Sequence, residues 1–224
     1  MFLTIGNVLS ASNLAEIHGE IENLSWHDGR STAGRRARSV KRNEQADLSG
    51  PLGQKLLERV TKALREQPVF QAAARPRIYS KFLLSRTGKD GGYGRHVDNA
   101  IMGQSTTRLR SDLSFTLFLN DPSEYEGGAL ELEFPAGNQS IKLASGDMVL
   151  YPSSLIHEVK PVTLGERVVL VGWVESQVRD PSKREVLFDL DRVQLALSGG
   201  KVDGEAKLIL DKVYSNLLRI WDGS

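Results

Sequence analysis

Apolar positions along the chain change period twice. After a short strand-like stretch around Phe2 to Ile5, Ser10-Ala11-Ser12 precedes Leu14, Ile17, Ile21 and Leu24, whose three- and four-residue spacing predicts a capped helix packed on a core. Pro51 opens a second helical run through Leu52, Leu56, Leu57, Val60 and Leu64, expected to end near Pro68. From Ile78 to Val174 short strands dominate, broken by turn signals at Gly88 to Gly94, Asp121 to Glu124, Gly127-Gly128, Pro135 to Asn138, Gly146-Asp147 and Gly165-Glu166. Strands at that spacing predict a mainly β chain with flanking helices, built as a two-sheet antiparallel barrel or jelly roll whose mouth holds one small ligand. Asp112 to Leu119 alternates before becoming wholly apolar, as a buried strand flanking such a site should. Helical spacing returns after Asp180-Pro181-Ser182 in Leu187, Leu190, Val193 and Leu197. Gly199-Gly200 breaks it, and Leu208, Ile209, Val213, Leu217, Leu218 and Trp221 form a second amphipathic stripe. The expected organisation is an N-terminal helical support region (1–77), a β domain (78–176) and a C-terminal helical appendage (177–224) docked on the barrel, its stripe a candidate homodimer face.

Composition narrows the function classes. With 224 residues, 40% hydrophobic and 25% charged, the chain can bury a sizeable core without staples. Zero cysteines exclude a disulfide framework and thiol catalysis, and a net charge of +1 gives no overall steering toward nucleic acid or membrane. Met1 to Asn7 is too short and polar for a secretory signal and no apolar run approaches a membrane span, so a cytoplasmic protein without a membrane partner is expected. Basic charge gathers in Asp28 to Asn43, with Arg30, Arg35, Arg36, Arg38, Lys41 and Arg42 among small and polar residues. Such a run reads as a solvated loop, with a mobile lid or a contact to an acidic partner as the alternative. No aromatic is interleaved after Trp26, so a base-stacking platform, and with it nucleic acid as a partner, is not expected.

The chemistry centres on His96-Val97-Asp98. On an extended strand, residues i and i+2 share a face, so His96 and Asp98 can reach one ion while Val97 points away. Of the remaining histidines, His18 and His27 lie in a stretch read as a helix and its exit loop, which leaves His157 as the natural third ligand. Two imidazoles and one carboxylate on one face of a metal leave the other face open, the arrangement of non-haem Fe(II) oxygenases that bind O2 and a co-substrate. Arg167 opens the next strand, and its planar guanidinium suits bidentate pairing with a carboxylate. A fixed cation beside an open metal position suits a dicarboxylate, one end on iron and the other on arginine, and 2-oxoglutarate is that co-substrate.

These segments resemble a known family. Gly94-Arg95-His96-Val97-Asp98-Asn99-Ala100, Leu109 to Leu119, Tyr125-Glu126-Gly127-Gly128-Ala129-Leu130, Ala144 to Ser154 and Val159-Lys160-Pro161-Val162-Thr163 are similar to the PKHD-type hydroxylases, a branch of the prolyl-4-hydroxylase-like Fe(II)/2-oxoglutarate dioxygenases. The resemblance extends from the first residues to about Leu197. It implies a double-stranded β-helix (jelly roll) core and an Fe(2+) site on His96, Asp98 and His157. It implies Arg167 on the distal carboxylate of 2-oxoglutarate, with L-ascorbate as a further cofactor. It further implies O2 and a protein or peptide substrate hydroxylated at a C–H bond, of a prolyl residue in the leading case, with succinate and CO2 as co-products. The alternative is a jelly roll that has kept the fold as a non-catalytic ligand- or partner-binding module. Two departures stand out. Ser80-Lys81-Phe82 replaces an Asn-Arg-Tyr common in the family, leaving Tyr79 or Tyr93 as substitute hydroxyls, and only Trp173 remains of an aromatic-rich last strand. Arg95 and Asn99 flank the ligands, either as contacts to the ligand side chains or the substrate or simply as loop hydrogen-bonders.

Overall fold

In the computed structural model, residues 1–32, 37–103, 108–198 and 204–222 are described. The N-terminal third holds β1 (Leu3–Ile5), α1 (Ala11–Ile21), β2 (Trp26–Asp28), β3 (Lys41–Arg42), β4 (Glu44–Ala46), α2 (Pro51–Glu66) and α3 (Pro68–Ala74). Strands follow as β5 (Pro76–Tyr79), β6 (Leu83–Thr87), β7 (Gly92–His96), β8 (Ile101–Met102), β9 (Leu109–Arg110), β10 (Leu113–Phe118), β11 (Tyr125–Gly127) and β12 (Leu130–Leu132). The remainder is β13 (Gln139–Ile141), β14 (Met148–Pro152), β15 (His157–Val159), β16 (Val162–Gly165), β17 (Arg167–Ser176), α4 (Pro181–Ser198) and α5 (Gly204–Trp221).

Two antiparallel sheets build the core. The larger runs β1-β14-β10-β17-β6-β4-β2 with β5 joined to β17, and the smaller runs β13-β12-β15-β7-β3. Period-2 alternation gives the large sheet two faces. Leu113, Phe115 and Leu117 of β10 and Leu170 and Val174 of β17 join Ile17, Leu56, Leu64 and Phe70 of the helices in an outer core. Phe118, Val149, Tyr151 and Val169 point the other way and meet Leu130, Leu132 and Ile141 of the small sheet in an inner core. Helices therefore cover one face of the large sheet, while the space between the sheets receives the side chains of the opposite face. This is the expected jelly roll with N-terminal helices and a C-terminal helical appendage.

Local chemistry explains the helix ends. The Ser10 hydroxyl accepts from the Asn13 amide at the start of α1, and Pro51 and Pro68 occupy first-turn positions where a missing N–H costs nothing. The second helix ends at Glu66, near Pro68 as expected, but Pro68 opens the separate α3, which the periodicity did not indicate because seven residues are too few to establish a helical stripe. His27 lies in β2, not in an exit loop. Arg75, at the end of α3, donates to Asp191 of α4 at 2.6 Å and to the Tyr214 hydroxyl of α5 at 2.8 Å, tying both C-terminal helices to the barrel. The helix break at Gly199-Gly200 lies outside the described residues.

The segment from Asp28 to Asn43 is solvated at Asp28, Arg30, Arg38 and Arg42, as expected, but it is partly ordered and buries Lys41. Its described parts are the end of β2, 3-10 turns at Gly29–Thr32 and Ala37–Val40, and β3, which pairs with β7. Lys41 is 5% exposed. Pairing overrides composition here: Lys41 sits opposite Tyr93, and that register turns its side chain inward.

Candidate metal and co-substrate site

The site lies between the sheets, in a cavity of about 1310 Å3 that His96, Asp98, His157 and Arg167 all line. Antiparallel pairing of β7 with β15 places His96 directly opposite His157, their ring centroids 4.2 Å apart. β7 ends at His96, and Asp98 follows just beyond the strand; the intervening Val97 is exposed, as alternation requires. One ligand atom from each of His96, Asp98 and His157 falls within 4.8 Å of the others, a spacing that could hold a metal ion.

The surroundings prepare these groups for a cation. His96 Nδ1 lies 2.8 Å from the Gly94 carbonyl and His157 Nδ1 lies 3.0 Å from the Leu155 carbonyl. A carbonyl only accepts, so both Nδ1 atoms carry the proton and both Nε2 atoms present a lone pair. Burial, reinforced by the neighbouring His157, holds the His96 imidazole down to about 4, so it is neutral at physiological pH. Asp98 Oδ2 is 3.8 Å from His157 Nε2 and 2.7 Å from the Ser114 hydroxyl, which is itself 2.8 Å from the Ser153 hydroxyl. With one proton per hydroxyl, Ser153 donates to Ser114 and Ser114 to the carboxylate, fixing its orientation. Tyr93 stacks on His96 with centroids 3.6 Å apart, and its phenol is pushed up to about 12 by burial with the Asp98 charge adding.

Arg167 opens β17 on the inner face and is 3% exposed. Among the described residues it has no carboxylate partner, and its buried Nε has no hydrogen-bond acceptor. The Tyr125 hydroxyl, likewise buried, faces the guanidinium. Burial lowers the Arg167 guanidinium from its ordinary value, with the Tyr125 and Tyr151 phenols opposing that shift. Asn120 braces the position from both sides: its Nδ2 donates to the Glu166 carbonyl at 2.7 Å and its Oδ1 accepts from the Val168 amide at 2.9 Å. Gly128, at φ 63°, lets the backbone cross the arginine stem; a Cβ there would sit 2.9 Å from Val162 Cγ2 and 3.2 Å from Arg167 Cδ.

Several expectations change. Phe82 packs edge-on against Phe115 in the outer core, so the missing hydroxyl is outside the cavity. Tyr79 lines the same cavity, and its hydroxyl accepts from Gln71 of α3. Arg95 is bound by both carboxylate oxygens of Glu133 at 2.9 and 2.6 Å, and the Asn99 carbonyl accepts from Ser111. Sequence reasoning missed Tyr151, Ser114, Asn120 and Lys41. Tyr151 had a signal: β14 alternates, so a residue two beyond the inward Val149 is also inward. Lys41 projects its ammonium over the Tyr93 ring at 5.2 Å and donates to Thr32 Oγ1 at 3.1 Å, and burial lowers it to about 8.

Comparison with known proteins gives the family and the fold. Residues 82–175 match the 2OG-Fe(II) oxygenase superfamily, and residues 182–222 match the PKHD-type hydroxylase C-terminal domain. A PKHD-type hydroxylase of Hyphomonas neptunium is 45% identical over 220 residues, covering 98% of each chain. Among solved structures, a 2OG-Fe(II) oxygenase family oxidoreductase from Burkholderia pseudomallei aligns with a TM-score of 0.57 at 17% identity, covering 78% of this chain and 84% of that one. A Trichoplax adhaerens prolyl hydroxylase in complex with a hypoxia-inducible-factor peptide aligns at 0.53 and 18%, covering 83% and 86%.

Proposed function

The chain belongs to the PKHD-type hydroxylases, oxidoreductases of the 2OG-Fe(II) oxygenase superfamily, and from that premise we propose that His96, Asp98 and His157 bind Fe(II) and Arg167 binds 2-oxoglutarate. The observation that carries this reading is Arg167, a buried cation without an anionic partner among the described residues. Isolated charges are not left in protein interiors without compensation, and the open side of the His/Asp/His cluster shares its cavity. Both carboxylates of 2-oxoglutarate then have a partner.

Bound Fe(II) and 2-oxoglutarate supply the O2 chemistry, in which substrate C–H becomes C–OH while 2-oxoglutarate becomes succinate and CO2. The chain's own groups do the positioning. Backbone carbonyls at Gly94 and Leu155 hold the imidazoles in the tautomer that presents Nε2, and Ser114 holds Asp98. Asn120 holds the backbone on either side of Arg167, and Val169, Val171 and Tyr151 line the cavity with apolar surface that excludes water. Ser85, Thr87 and Thr116 keep part of the wall polar.

The acceptor in this reading is a prolyl residue in a protein or peptide. Exposed Val97 and Ile101 lie on the cavity lining beside the ligands, apolar surface suited to a peptide, and one structural neighbour is a prolyl hydroxylase with a peptide bound. L-ascorbate serves as reductant, the chain acts in the cytoplasm, and residues 1–77, 78–176 and 177–224 serve as support, dioxygenase domain and helical appendage. The exposed Leu208, Ile209 and Ile220 of α5 form the homodimer face. No helix among the described residues is long and apolar enough to cross a membrane. The test is succinate formation under air from 2-oxoglutarate with Fe(II) and ascorbate, with and without proline-containing peptides. Turnover stimulated by peptide and lost in Asp98→Ala and Arg167→Ala supports the reading. Absence of both turnover and 2-oxoglutarate binding leaves a non-catalytic binding module.

A further inference from the structure

Lys41 is a second buried cation in the same cavity, and the reading above gives it nothing to do. Its ammonium is held by Thr32 Oγ1, which in turn donates to Gln45 Oε1 at 2.7 Å, so the group is fixed in place. No carboxylate lies within ion-pair distance of it among the described residues; of the charges that act on it, Asp98, the stronger, belongs to the His/Asp/His cluster, and Asp28 is taken by Arg30. The stacked order Lys41, Tyr93, His96 sets the ammonium one aromatic ring away from a metal ligand. Charge on the lining is one-sided: Asp98 is the sole carboxylate among the described lining residues, against Lys41, Lys81, Arg95, Arg108 and Arg167. Of these five only Arg95 forms an ion pair among the described residues, with Glu133. Once a divalent cation, Asp98, Arg167 and a dicarboxylate are together their charges cancel, and of the remaining lining cations Lys41 is buried while Lys81 and Arg108 face solvent.

We propose that Lys41 is a specificity-determining residue that binds a carboxylate of the hydroxylation substrate, so that the enzyme selects acidic acceptors. The inference rests on the assignment of Arg167 to 2-oxoglutarate, because only then is Lys41 free for the acceptor. A buried ammonium hydrogen-bonded to a hydroxyl gains a charge-assisted bond when a carboxylate arrives, and a neutral isostere leaves it uncompensated. That carboxylate is either a chain terminus or an Asp or Glu side chain.

Equilibrium dialysis separates the cases. Wild-type protein loaded with Zn(II) and 2-oxoglutarate is exposed to three equimolar mixtures of N-acetyl proline-containing tripeptides: free C-terminal acids with neutral side chains, C-terminal amides bearing one Asp or Glu, and neutral amides. One acidic mixture should be retained about tenfold over the neutral amides. Which of the two is retained identifies the source of the carboxylate. Lys41→Met, which keeps the stem and removes the charge, should abolish the preference while 2-oxoglutarate binding persists; Lys41→Arg should restore much of it and guards against a folding defect. Equal retention of all three mixtures, including none of any, or a preference that survives Lys41→Met, overturns the proposal. Failure of wild type to bind 2-oxoglutarate overturns instead the assignment on which it rests.

Discussion

Replacing Arg167 with methionine should raise the stability of the ligand-free protein while lowering its affinity for 2-oxoglutarate. The guanidinium is 3% exposed, lacks an anionic partner among the described residues and stands 5.4 Å above the Phe118 ring. Desolvating it therefore costs free energy that only a ring face and two phenols offset. An apolar side chain of similar length on the same wall removes that cost, which is on the order of several kcal/mol for a buried ion before its partners offset part of it. At about 2–4 °C per kcal/mol for a chain of this size, the apo melting temperature should rise by several degrees. On the proposed assignment, wild type should recover its cost when the distal carboxylate arrives: a bidentate charge-assisted pair is worth about 3 kcal/mol, or roughly 100-fold in Kd. Thermal unfolding with Zn(II), with and without 2-oxoglutarate, reads both effects. Wild type should show a ligand-dependent shift that Arg167→Met largely lacks. A variant less stable than wild type without ligand, yet shifted equally by 2-oxoglutarate, would refute the view that this cation is kept for a ligand.

Other outcomes follow from the same contacts. Ser114→Ala removes the donor to Asp98 and should weaken Zn(II) affinity about 10–100-fold with little change in far-ultraviolet circular dichroism. Gly128→Ala adds a Cβ at φ 63° against Val162 and the Arg167 stem, and should cost about 1–3 kcal/mol by denaturant unfolding and weaken 2-oxoglutarate binding as well. Lys41 titrates at about 8 when folded against 10.5 ordinarily, so the unfolded chain binds the extra proton between those values. Stability should therefore rise with pH across that window by up to about 3 kcal/mol, and the rise should vanish in Lys41→Met. Arg75→Ala should release α4 and α5, read as faster proteolysis of the C-terminal helices with the β core intact.

Much of this architecture was legible because periodicity reports burial directly. Asp112 to Leu119 reads as a buried strand and becomes the centre of the large sheet, and turn glycines at 127, 146 and 165 all adopt positive φ. His96, Asp98 and His157 were nameable since four histidines and a two-residue strand period leave few combinations, and β7–β15 pairing brings these three together. What supports them was not legible. Ser114, Ser153 and Asn120 act through partners 16 to 48 positions away, which no local pattern encodes. Lys41 was hidden for a different reason: its neighbours Arg38 and Arg42 face solvent, and a two-residue strand reverses direction of one lysine in a basic run. The Phe82 departure also lost its meaning once the ring was found in the outer core, with Tyr151 and Tyr125 as the phenols nearest Arg167.

The central claim is that His96, Asp98 and His157 hold the metal to which 2-oxoglutarate binds. Anaerobic titration of the Fe(II)-loaded protein with 2-oxoglutarate tests it most directly, by the visible metal-to-ligand charge-transfer absorption that arises when a 2-oxo acid chelates Fe(II). The account expects a saturable band in wild type, its loss in Asp98→Ala and His157→Ala, and a much weaker titration in Arg167→Met. A band of wild-type intensity and affinity in Asp98→Ala or His157→Ala would contradict it.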